Sequence, residues 1–294
     1  MSKADRNRNL STRARIAEQQ AAMRRAEQRR RLILVGGSVL VVIAIIVAIV
    51  VIRNTSKPSS QAGRAALPPA VASSITNVPA STLSQIGTGP LAPLSGLPMR
   101  SISDPTLTTT GGKPEFLYIG AEFCPYCAAM RWSMAVALSH FGTFGPLKGI
   151  HSSSTDVDPD TATLTFYKQK YSSPYLNFTP VENETVTGGP LQPTTKDQQA
   201  VWTKYDTTSQ GGTGFPFMYF GGKVIITGPL YDPGVLKGLT WSQIAAQLKD
   251  PNSKVAQNIN GAANYVTASI CKITSNTPAT VCKAGPIPAL ESKL

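Results

Sequence analysis

The feature that most constrains this chain is an uninterrupted apolar segment near its N-terminus. Residues 32–52 read LILVGGSVLVVIAIIVAIVVI, which is 21 residues without a charged side chain, between Arg31 and Arg53. As an α-helix this segment would span about 30 Å, the thickness of the hydrocarbon core of a bilayer. A core helix of a globular domain is seldom so long and so apolar on every side. The segment therefore predicts a transmembrane helix.

The positive charge of the chain is concentrated in front of that segment. The 294 residues carry a formal net charge of +12, and residues 1–31 contain ten Lys and Arg but only three acidic residues. An excess of Lys and Arg marks the cytoplasmic side of a membrane span, so we expect a single-pass protein with residues 54–294 outside the cytoplasm. Topology and attraction to anionic lipid headgroups account for this charge. We therefore expect the lipid bilayer as a partner and no nucleic acid.

A cleavable signal peptide is the alternative interpretation of the apolar segment. Its apolar region would be about 7–15 residues long and would end at a small-residue cleavage site. The segment here is longer and ends at Arg53, which fits an uncleaved anchor better. Residues 53–70, rich in Ser, Ala and Pro, predict an extended linker. The chain would thus consist of a cytoplasmic tail (1–31), a membrane anchor (32–52), the linker and an extracytoplasmic part.

A CxxC motif stands where a predicted strand turns into a predicted helix. The strand-like segment Glu115–Gly120 is followed closely by Cys124-Pro125-Tyr126-Cys127. Apolar residues then recur at helical spacing at Met130, Met134, Ala137, Leu138 and Phe141. The N-terminus of a helix offers unpaired N–H groups and a partial positive charge, and both stabilise a thiolate.

This placement assigns different chemical roles to the two cysteines. Cys124, at the helix N-terminus, is expected to have a lowered pKa and to act as the attacking nucleophile. Cys127 is expected to attack a mixed disulfide on Cys124 and to release the product. Pro125 suits the first helical turn, where its missing N–H costs nothing, and Tyr126 completes the active-site turn.

Other interpretations of the cysteines are a structural bridge between Cys124 and Cys127 or half of a zinc site. A zinc site would need a second ligand pair at suitable spacing, and Cys271 and Cys282 are far away in the sequence. We therefore expect no metal and no cofactor. Outside the cytoplasm, Cys271 and Cys282 are predicted to form a structural disulfide. A relay pair that exchanges disulfides with the CxxC is the alternative.

A second motif occurs further along the chain. Gly214-Phe215-Pro216 precedes a strand candidate at Phe217–Phe220, a two-residue turn of glycines 221–222 and a returning strand over 223–227. Pro216 stands at the start of a strand, where a missing N–H is tolerated. The peptide bond between Phe215 and Pro216 is therefore a candidate for the cis form.

Together the two motifs resemble the thioredoxin superfamily. The segment from Lys113 to Cys127 resembles the active-site segment of that superfamily. Gly214-Phe215-Pro216 and the glycine hairpin that follows resemble its cis-proline loop and last two strands. The resemblance implies an α/β, thioredoxin-like fold, with a central mixed sheet flanked by helices, over residues 71–250. It also implies that Phe215 and Pro216 form the loop whose backbone receives the substrate chain.

Two helices are expected after that loop. Thr240–Leu248 resembles the closing helix of the superfamily, and Thr240 and Gln243 form a capping-box pattern at its start. A further helix is expected over Lys254–Ile270.

The chain also departs from a small thioredoxin. The 92 positions between Cys124 and Pro216 predict an insertion around residues 150–205, and residues 251–294 predict a C-terminal helix and disulfide extension. Tyr118 occupies the position at which thioredoxin has a buried acid, so the usual proton acceptor for the second cysteine is absent. Glu122 is the nearest carboxylate in the sequence, and solvent exposure is its simplest interpretation. The layout resembles a prokaryotic family of membrane-anchored, thioredoxin-like proteins described as a domain of unknown function.

The sequence therefore predicts a membrane-anchored thiol–disulfide oxidoreductase, of oxidase or isomerase type, that acts on exported proteins. Its expected partners are thiols and disulfides of exported proteins, and a membrane or soluble redox partner that recycles the CxxC. Two alternatives stay open. One is a non-catalytic thioredoxin-like binding module, and the other is a factor that assists metal or haem assembly of exported redox proteins.

Overall fold

The computed structural model describes residues 64–206 and 212–294. The basic tail at 1–31 and the predicted transmembrane segment at 32–52 lie outside the described residues. Within those ranges no helix is both long enough and apolar enough to cross a bilayer.

The described chain alternates between strands and helices, with two short 3₁₀ turns at Leu94–Gly96 and Pro233–Leu236. In chain order the elements are β1 (Ala65–Ala66), α1 (Pro69–Thr76), α2 (Ala80–Ile86), β2 (Met99–Ser101), β3 (Thr109–Thr110), β4 (Lys113–Gly120), α3 (Pro125–Ser139), β5 (Thr143–Phe144), β6 (Lys148–His151), β7 (Ala162–Thr165), β8 (Tyr171–Ser172), β9 (Asn177–Glu182), α4 (Lys196–Tyr205), β10 (Phe217–Phe220), β11 (Val224–Ile226), α5 (Trp241–Gln247), α6 (Lys254–Ile273), α7 (Ala279–Cys282) and α8 (Ile287–Glu291).

A central mixed sheet forms around β4. This strand pairs in parallel with β9 and antiparallel with β10, and β10 continues antiparallel to β11, which pairs with β2. The last six residues of β4 and all of β10 and β11 are buried, because apolar and aromatic side chains cover both of their faces. The predicted class, α/β with a central mixed sheet and helices, is confirmed at this level.

Two long helices fix the position of the segment that follows β4. Helix α3 packs against α6, and almost all of its side chains are buried. The Ser133 hydroxyl of α3 donates a 2.8 Å hydrogen bond to the Ile259 carbonyl of α6. Helix α6 extends to Ile273, three residues beyond the predicted end. The N-terminus of α3 is therefore held at the C-terminal end of β4.

The capping box predicted before α5 is present. The Thr240 side chain accepts a hydrogen bond from the backbone N–H of Gln243, and the Gln243 side chain accepts one from the backbone N–H of Thr240. Such reciprocal bonds pair two N–H groups that a helix N-terminus would otherwise leave free. This sequence signal therefore located the start of α5 correctly.

The segment 150–205, predicted as an insertion, is only partly one. It contains β9, which belongs to the central sheet and pairs with β4 from Glu115 opposite Asn177 to Gly120 opposite Glu182. It also contains α4. The separate part is the hairpin of β6 and β7, which forms a small sheet with β1. Residues 177–182 therefore belong to the central sheet beside β4, and the inserted part is confined to the rest of the segment.

Two other boundaries also differ from the sequence-based expectation. The segment predicted as a linker over 53–70 already contains β1, where Ala65 pairs with Gly149, and the start of α1. The glycine turn after β10 is three residues long rather than two, because Phe220 pairs with Val224. At Gly222 the backbone has a positive φ, and a Cβ atom would collide with the carbonyl oxygen of Asp104. Only glycine fits that position.

A disulfide joins Cys271, in the last turns of α6, to Cys282 at the end of α7. Their Cα atoms are 5.5 Å apart, and both residues are buried in the largest core cluster. The predicted pairing is confirmed. A structural role, as opposed to a relay with the CxxC, stays a prediction.

Candidate active site

The CPYC motif lies at the junction of β4 and α3. Cys124 is the N-cap of α3, with extended backbone angles, and Pro125 is the first helical residue. The Cys124 Sγ atom accepts a hydrogen bond of 3.2 Å from the backbone N–H of Cys127. The cysteine sulfur therefore takes the place that a Ser or Asp oxygen has in an ordinary N-cap.

The surroundings of the two thiols separate their ionisation. A hydrogen bond from the Cys127 thiol is the largest influence on Cys124 and lowers its pKa below the usual range, although burial opposes the shift. Backbone N–H groups and the Arg131 charge act in the same direction. Burial is the main reason why the pKa of Cys127 lies well above its usual range, and the neighbouring Cys124 raises it further. Of the two sulfurs, Cys124 is therefore the one that ionises first.

The CPYC turn is accessible mainly through its tyrosine. Tyr126 is 39% exposed, whereas Cys124 is 4% and Cys127 0% exposed. Pro125 is buried at the start of the helix. A reacting sulfur atom would therefore have to reach Cys124 beside the Tyr126 ring.

A buried ion pair lies directly behind the motif. Arg131, one helical turn after Cys127, donates from Nε and Nη2 to the two carboxylate oxygens of Glu182 at 2.9 and 2.6 Å. Its Nη2 also donates to the Ala121 carbonyl at 2.7 Å, and the backbone N–H of Phe166 donates to Glu182 at 3.0 Å. Both charged side chains are 0% exposed.

A second carboxylate near the motif is also paired. Glu122 is only 1% exposed and accepts hydrogen bonds of 2.8 Å from both Nε and Nη2 of Arg64. The Thr165 hydroxyl donates to the same carboxylate at 2.6 Å, and the Arg64 guanidinium lies 4.6 Å from the Tyr167 ring centroid. The interpretation of Glu122 as solvent-exposed was therefore wrong. Its counter-charge comes from Arg64, which belongs to the segment predicted as a linker.

A neutral phenol lies in the buried strand that leads to the motif. Tyr118 is fully buried, and its hydroxyl has no hydrogen-bond partner within the described residues. Burial raises the pKa of Tyr118 well above its usual range. The Arg131 charge opposes that shift, while the two cysteines add to it. The side chain therefore stays protonated and uncharged at physiological pH.

The second motif packs against the first. The Phe215–Pro216 peptide bond is cis, as the sequence suggested. Phe215 packs on the buried cluster of Ala121, Cys124 and Cys127. These motifs meet because β10 is antiparallel to β4, with Phe217 opposite Ile119. The start of β10 and the end of β4 therefore lie at the same end of the sheet.

Helix α4 holds the proline loop in place. The Trp202 indole N–H donates to the Gly214 carbonyl at 3.0 Å, and the Asp206 carboxylate accepts from the Gly214 backbone N–H at 3.2 Å. The Phe215 ring lies between two aromatic neighbours, with centroids 5.2 Å from Trp202 and 6.1 Å from Phe123. The loop is thus held both by α4 and by the turn that carries the dithiol.

The structure therefore gathers six of the predicted site residues in one place and leaves two elsewhere. The first group lies at one end of the central sheet and consists of residues 124–127, 215 and 216. The other two, Cys271 and Cys282, belong to a different core cluster. Sequence reasoning missed Arg131, Glu182 and Arg64. Arg131 carried a usable signal, because it is a lone charge in the otherwise uncharged helix that follows the CxxC.

A groove opens beside the motif and adds room for a ligand. It has a volume of about 450 Å³ and lies next to Phe123, between residues 153–156 and the turn that contains Glu184 and Gly188. The Phe123 carbonyl accepts a 2.8 Å hydrogen bond from the Ser153 backbone N–H, which connects the groove to the CPYC turn. No cluster of three or more potential metal-ligating residues occurs in the described ranges.

Comparison with known proteins gives one positive result. Neither the curated proteins nor the solved structures contain a significant match to this chain. Residues 101–272 match the family model described as "Domain of unknown function (DUF929)". That match covers more than half of the chain and includes both the CPYC motif and the cis-proline loop. The chain belongs to the DUF929 family.

Proposed function

We propose that this protein is a thiol–disulfide oxidoreductase of the thioredoxin-like type, acting through Cys124 and Cys127. The observation that carries the proposal is the unequal environment of the two thiols. Cys124 caps a helix and has a lowered pKa, whereas Cys127 is fully buried and has a raised pKa. Stepwise disulfide exchange requires one ionised cysteine that attacks first and a second cysteine that stays protonated until its own attack.

Thioredoxin-like architecture is supported by the relation between the two motifs. The CPYC follows the central strand of a mixed sheet, and a cis proline immediately precedes the neighbouring antiparallel strand. Phe215 and the dithiol are in contact, so that a substrate chain bound along the proline loop would lie beside Cys124. A structural disulfide or a metal pair would not need this loop.

The proposed reaction proceeds in two exchanges. The Cys124 thiolate attacks a substrate disulfide, which forms a mixed disulfide and releases one substrate sulfur as a thiolate that takes up a proton. Cys127 then loses its proton and attacks the Cys124 sulfur, which closes the Cys124–Cys127 disulfide and releases the second substrate thiol. The substrate gains two electrons and the dithiol loses them. Run in reverse, the same steps oxidise a substrate dithiol.

Polypeptide disulfides are the proposed substrate class. Cys124 is almost buried, so the attacked sulfur has to be delivered by an exposed segment that fits beside Tyr126. The groove of about 450 Å³ next to Phe123 offers room for the neighbouring residues of such a segment.

We also propose the cellular setting that the sequence indicates. Residues 32–52 would anchor the protein in the membrane by a single pass, with the N-terminus in the cytoplasm and the catalytic part outside. Thiols and disulfides of exported proteins would then be the substrates. A membrane-bound or soluble redox partner would recycle the CPYC, because each turnover changes its oxidation state.

The test uses the full-length protein in detergent with Cys124→Ser as the control. Catalysis of insulin reduction and of oxidative refolding of a reduced protein would be measured for both. We expect activity in at least one assay for the wild type and none above background for Cys124→Ser. Equal rates for the two proteins in both assays would refute the proposal and favour a non-catalytic binding module.

The reduction potential of the CPYC would decide the direction of the reaction. A potential near about −120 mV would indicate an oxidase and one near about −270 mV a reductase. The exported location leads us to expect a potential toward the oxidising end of that range.

A further inference from the structure

Arg131 has an unused hydrogen-bond donor in the interior of the protein. Its Nε and Nη2 bind Glu182 and the Ala121 carbonyl, but Nη1 is buried and has no hydrogen-bond partner within the described residues. An unpaired donor on a buried charge costs free energy, so its retention calls for an explanation.

The Arg131 charge is connected to both reactive cysteines through Ala121. Arg131 follows Cys127 by four residues and therefore lies on the same face of α3. The Ala121 carbonyl accepts from Arg131 Nη2 and from the Cys124 backbone N–H, and Ala121 packs against both cysteines. The charge of Arg131 lowers the pKa of Cys124 and opposes the effect of burial on the pKa of Cys127.

We propose that Arg131 is the positioning residue of the second exchange, where its positive charge stabilises Cys127 as a thiolate while this sulfur attacks the mixed disulfide on Cys124. The inference rests on the proposed function. In that step the Cys127 proton passes through solvent to the substrate thiolate that leaves Cys124. The Cys124–Cys127 bond forms and the bond from Cys124 to the substrate breaks.

The alternative is a carboxylate that removes the Cys127 proton, but neither of the two buried carboxylates near the motif, Glu182 and Glu122, is free to do so. Both oxygens of Glu182 are occupied, one by Arg131 Nε and the Phe166 N–H and the other by Arg131 Nη2. Glu122 is likewise occupied, by Arg64 and Thr165. Tyr118, at the position of the thioredoxin acid, is a neutral phenol with a raised pKa. A cation is therefore the group that favours ionisation of Cys127.

The first measurement is the titration of Cys127 itself, which does not depend on catalysis. In a Cys124→Ser background, the thiolate absorbance near 240 nm would be followed against pH, with the disulfide between Cys271 and Cys282 intact. Arg131→Gln combined with Glu182→Gln removes both charges and keeps a polar pair. We expect it to raise the pKa of Cys127 by about one unit. Glu182→Gln alone leaves the cation unbalanced and should lower that pKa.

The second measurement follows the lifetime of the mixed disulfide in single-turnover reactions with the intact dithiol. At neutral pH the neutral pair should resolve the mixed disulfide about threefold more slowly than the wild type, because a tenfold smaller thiolate fraction is partly offset by a more nucleophilic thiolate. Ser133→Ala is the matched control, since it removes a buried hydrogen bond from α3 without changing a charge. We expect it to lower stability but to leave both readouts unchanged.

The outcomes separate the two proposals. Unchanged titration of Cys127 in the variants that fold would overturn the role of Arg131. Shifts of opposite sign in the two variants would support it, and if the neutral pair does not fold, the sign of the Glu182→Gln shift decides alone. A titration that shifts as expected, in a wild type that forms no mixed disulfide with any substrate, would refute the oxidoreductase function and leave the electrostatic role of Arg131 in place.

Discussion

Arg64 holds Glu122 with two parallel hydrogen bonds of 2.8 Å, although the two residues are 58 positions apart in the chain. Glu122 is buried and stands two residues before Cys124, whereas Arg64 is the first residue that the structure describes and precedes β1. The segment that precedes β1 is thus attached directly to the turn that carries Cys124. This attachment gives the first prediction.

Arg64→Met should destabilise the protein through Glu122. Removing one partner of a buried ion pair leaves the other charge without compensation, which costs about 3–5 kcal/mol when both are fully buried. The Arg64 side chain is 33% exposed, so we expect a smaller loss of about 2 kcal/mol in the free energy of unfolding. Urea denaturation followed by circular dichroism would measure it.

The matched control is the double variant Arg64→Met, Glu122→Gln. It removes the uncompensated charge while keeping an amide that the Thr165 hydroxyl can still reach. We expect the double variant to be more stable than Arg64→Met alone. If the two variants lost the same stability, the effect of Arg64 would come from packing on Tyr167 and not from the charge of Glu122.

The pair also shows what the sequence could and could not predict. The CPYC turn, the cis proline and the capping box of α5 were predictable, because each depends on residues within a few positions of one another. Arg64 and Glu122 carry no such local signal, since their contact depends on how β1 is placed beside β6. The Arg131–Glu182 pair is equally nonlocal, with 51 positions between its members.

Strand β9 was missed for a different physical reason. Its sequence, NFTPVE, contains Pro180, and a proline inside a strand pattern argues against a central strand because it lacks an N–H donor. In the structure β9 pairs only with β4, where Pro180 lies opposite Tyr118, so it is an edge strand within the described residues. An edge strand has a free side that tolerates proline. The proline is therefore compatible with a strand at 177–182. The long separation between Cys124 and Pro216 had instead suggested an insertion there.

The two cysteines of the CPYC should react differently with an alkylating agent. Hydrogen bonding lowers the pKa of Cys124, and burial raises that of Cys127. At pH 6–7, iodoacetamide should therefore modify the reduced protein at Cys124 at least about tenfold faster than at Cys127, because the thiolate is the reactive form. Peptide mass spectrometry after short exposures would identify the modified residue.

A comparison with the unfolded protein supplies the control for this experiment. In urea both thiols are exposed to solvent in an unfolded chain. The rates of modification of Cys124 and Cys127 should therefore become similar. Faster modification of Cys127 in the folded protein, or equal rates in both states, would contradict the assignment of Cys124 as the nucleophile.

The carboxylate of Asp104 should make stability depend on acidic pH. It accepts hydrogen bonds from the Lys204 ammonium at 2.8 Å, the Tyr205 hydroxyl at 2.7 Å and the Thr106 backbone N–H at 2.8 Å. Burial alone would raise the pKa of Asp104, but these hydrogen bonds outweigh it and hold the pKa well below its usual range.

A depressed pKa in the folded state stabilises the protein above the unfolded-state pKa of about 3.9, and that contribution disappears as the pH falls through the folded-state value. Asp104→Asn should therefore lower the urea midpoint at pH 7, and the difference from the wild type should shrink as the pH approaches 2. Lys204→Met keeps the carboxylate and serves as a milder control. A difference that is the same at pH 7 and pH 3 would contradict this account.

Removal of the second cysteine pair distinguishes a structural disulfide from a relay. Cys271 and Cys282 are separated by 11 positions and are both buried in the large core cluster, away from the cluster that contains Cys124 and Cys127. A bridge that closes a loop of this size stabilises a protein by about 3 kcal/mol, mainly by restricting the unfolded chain. Cys271→Ala combined with Cys282→Ala should therefore lower the melting temperature clearly.

The same variant should keep its redox activity if the bridge is structural. Turnover per folded molecule, measured well below the lowered melting temperature, should remain within about twofold of the wild type, because neither sulfur lies in the cluster of the dithiol. Cys124→Ser, which removes the nucleophile and leaves the bridge intact, should show the opposite pattern of normal melting and no turnover. Loss of turnover with an unchanged melting temperature in the alanine variant would instead identify Cys271 and Cys282 as a relay that exchanges disulfides with the CPYC.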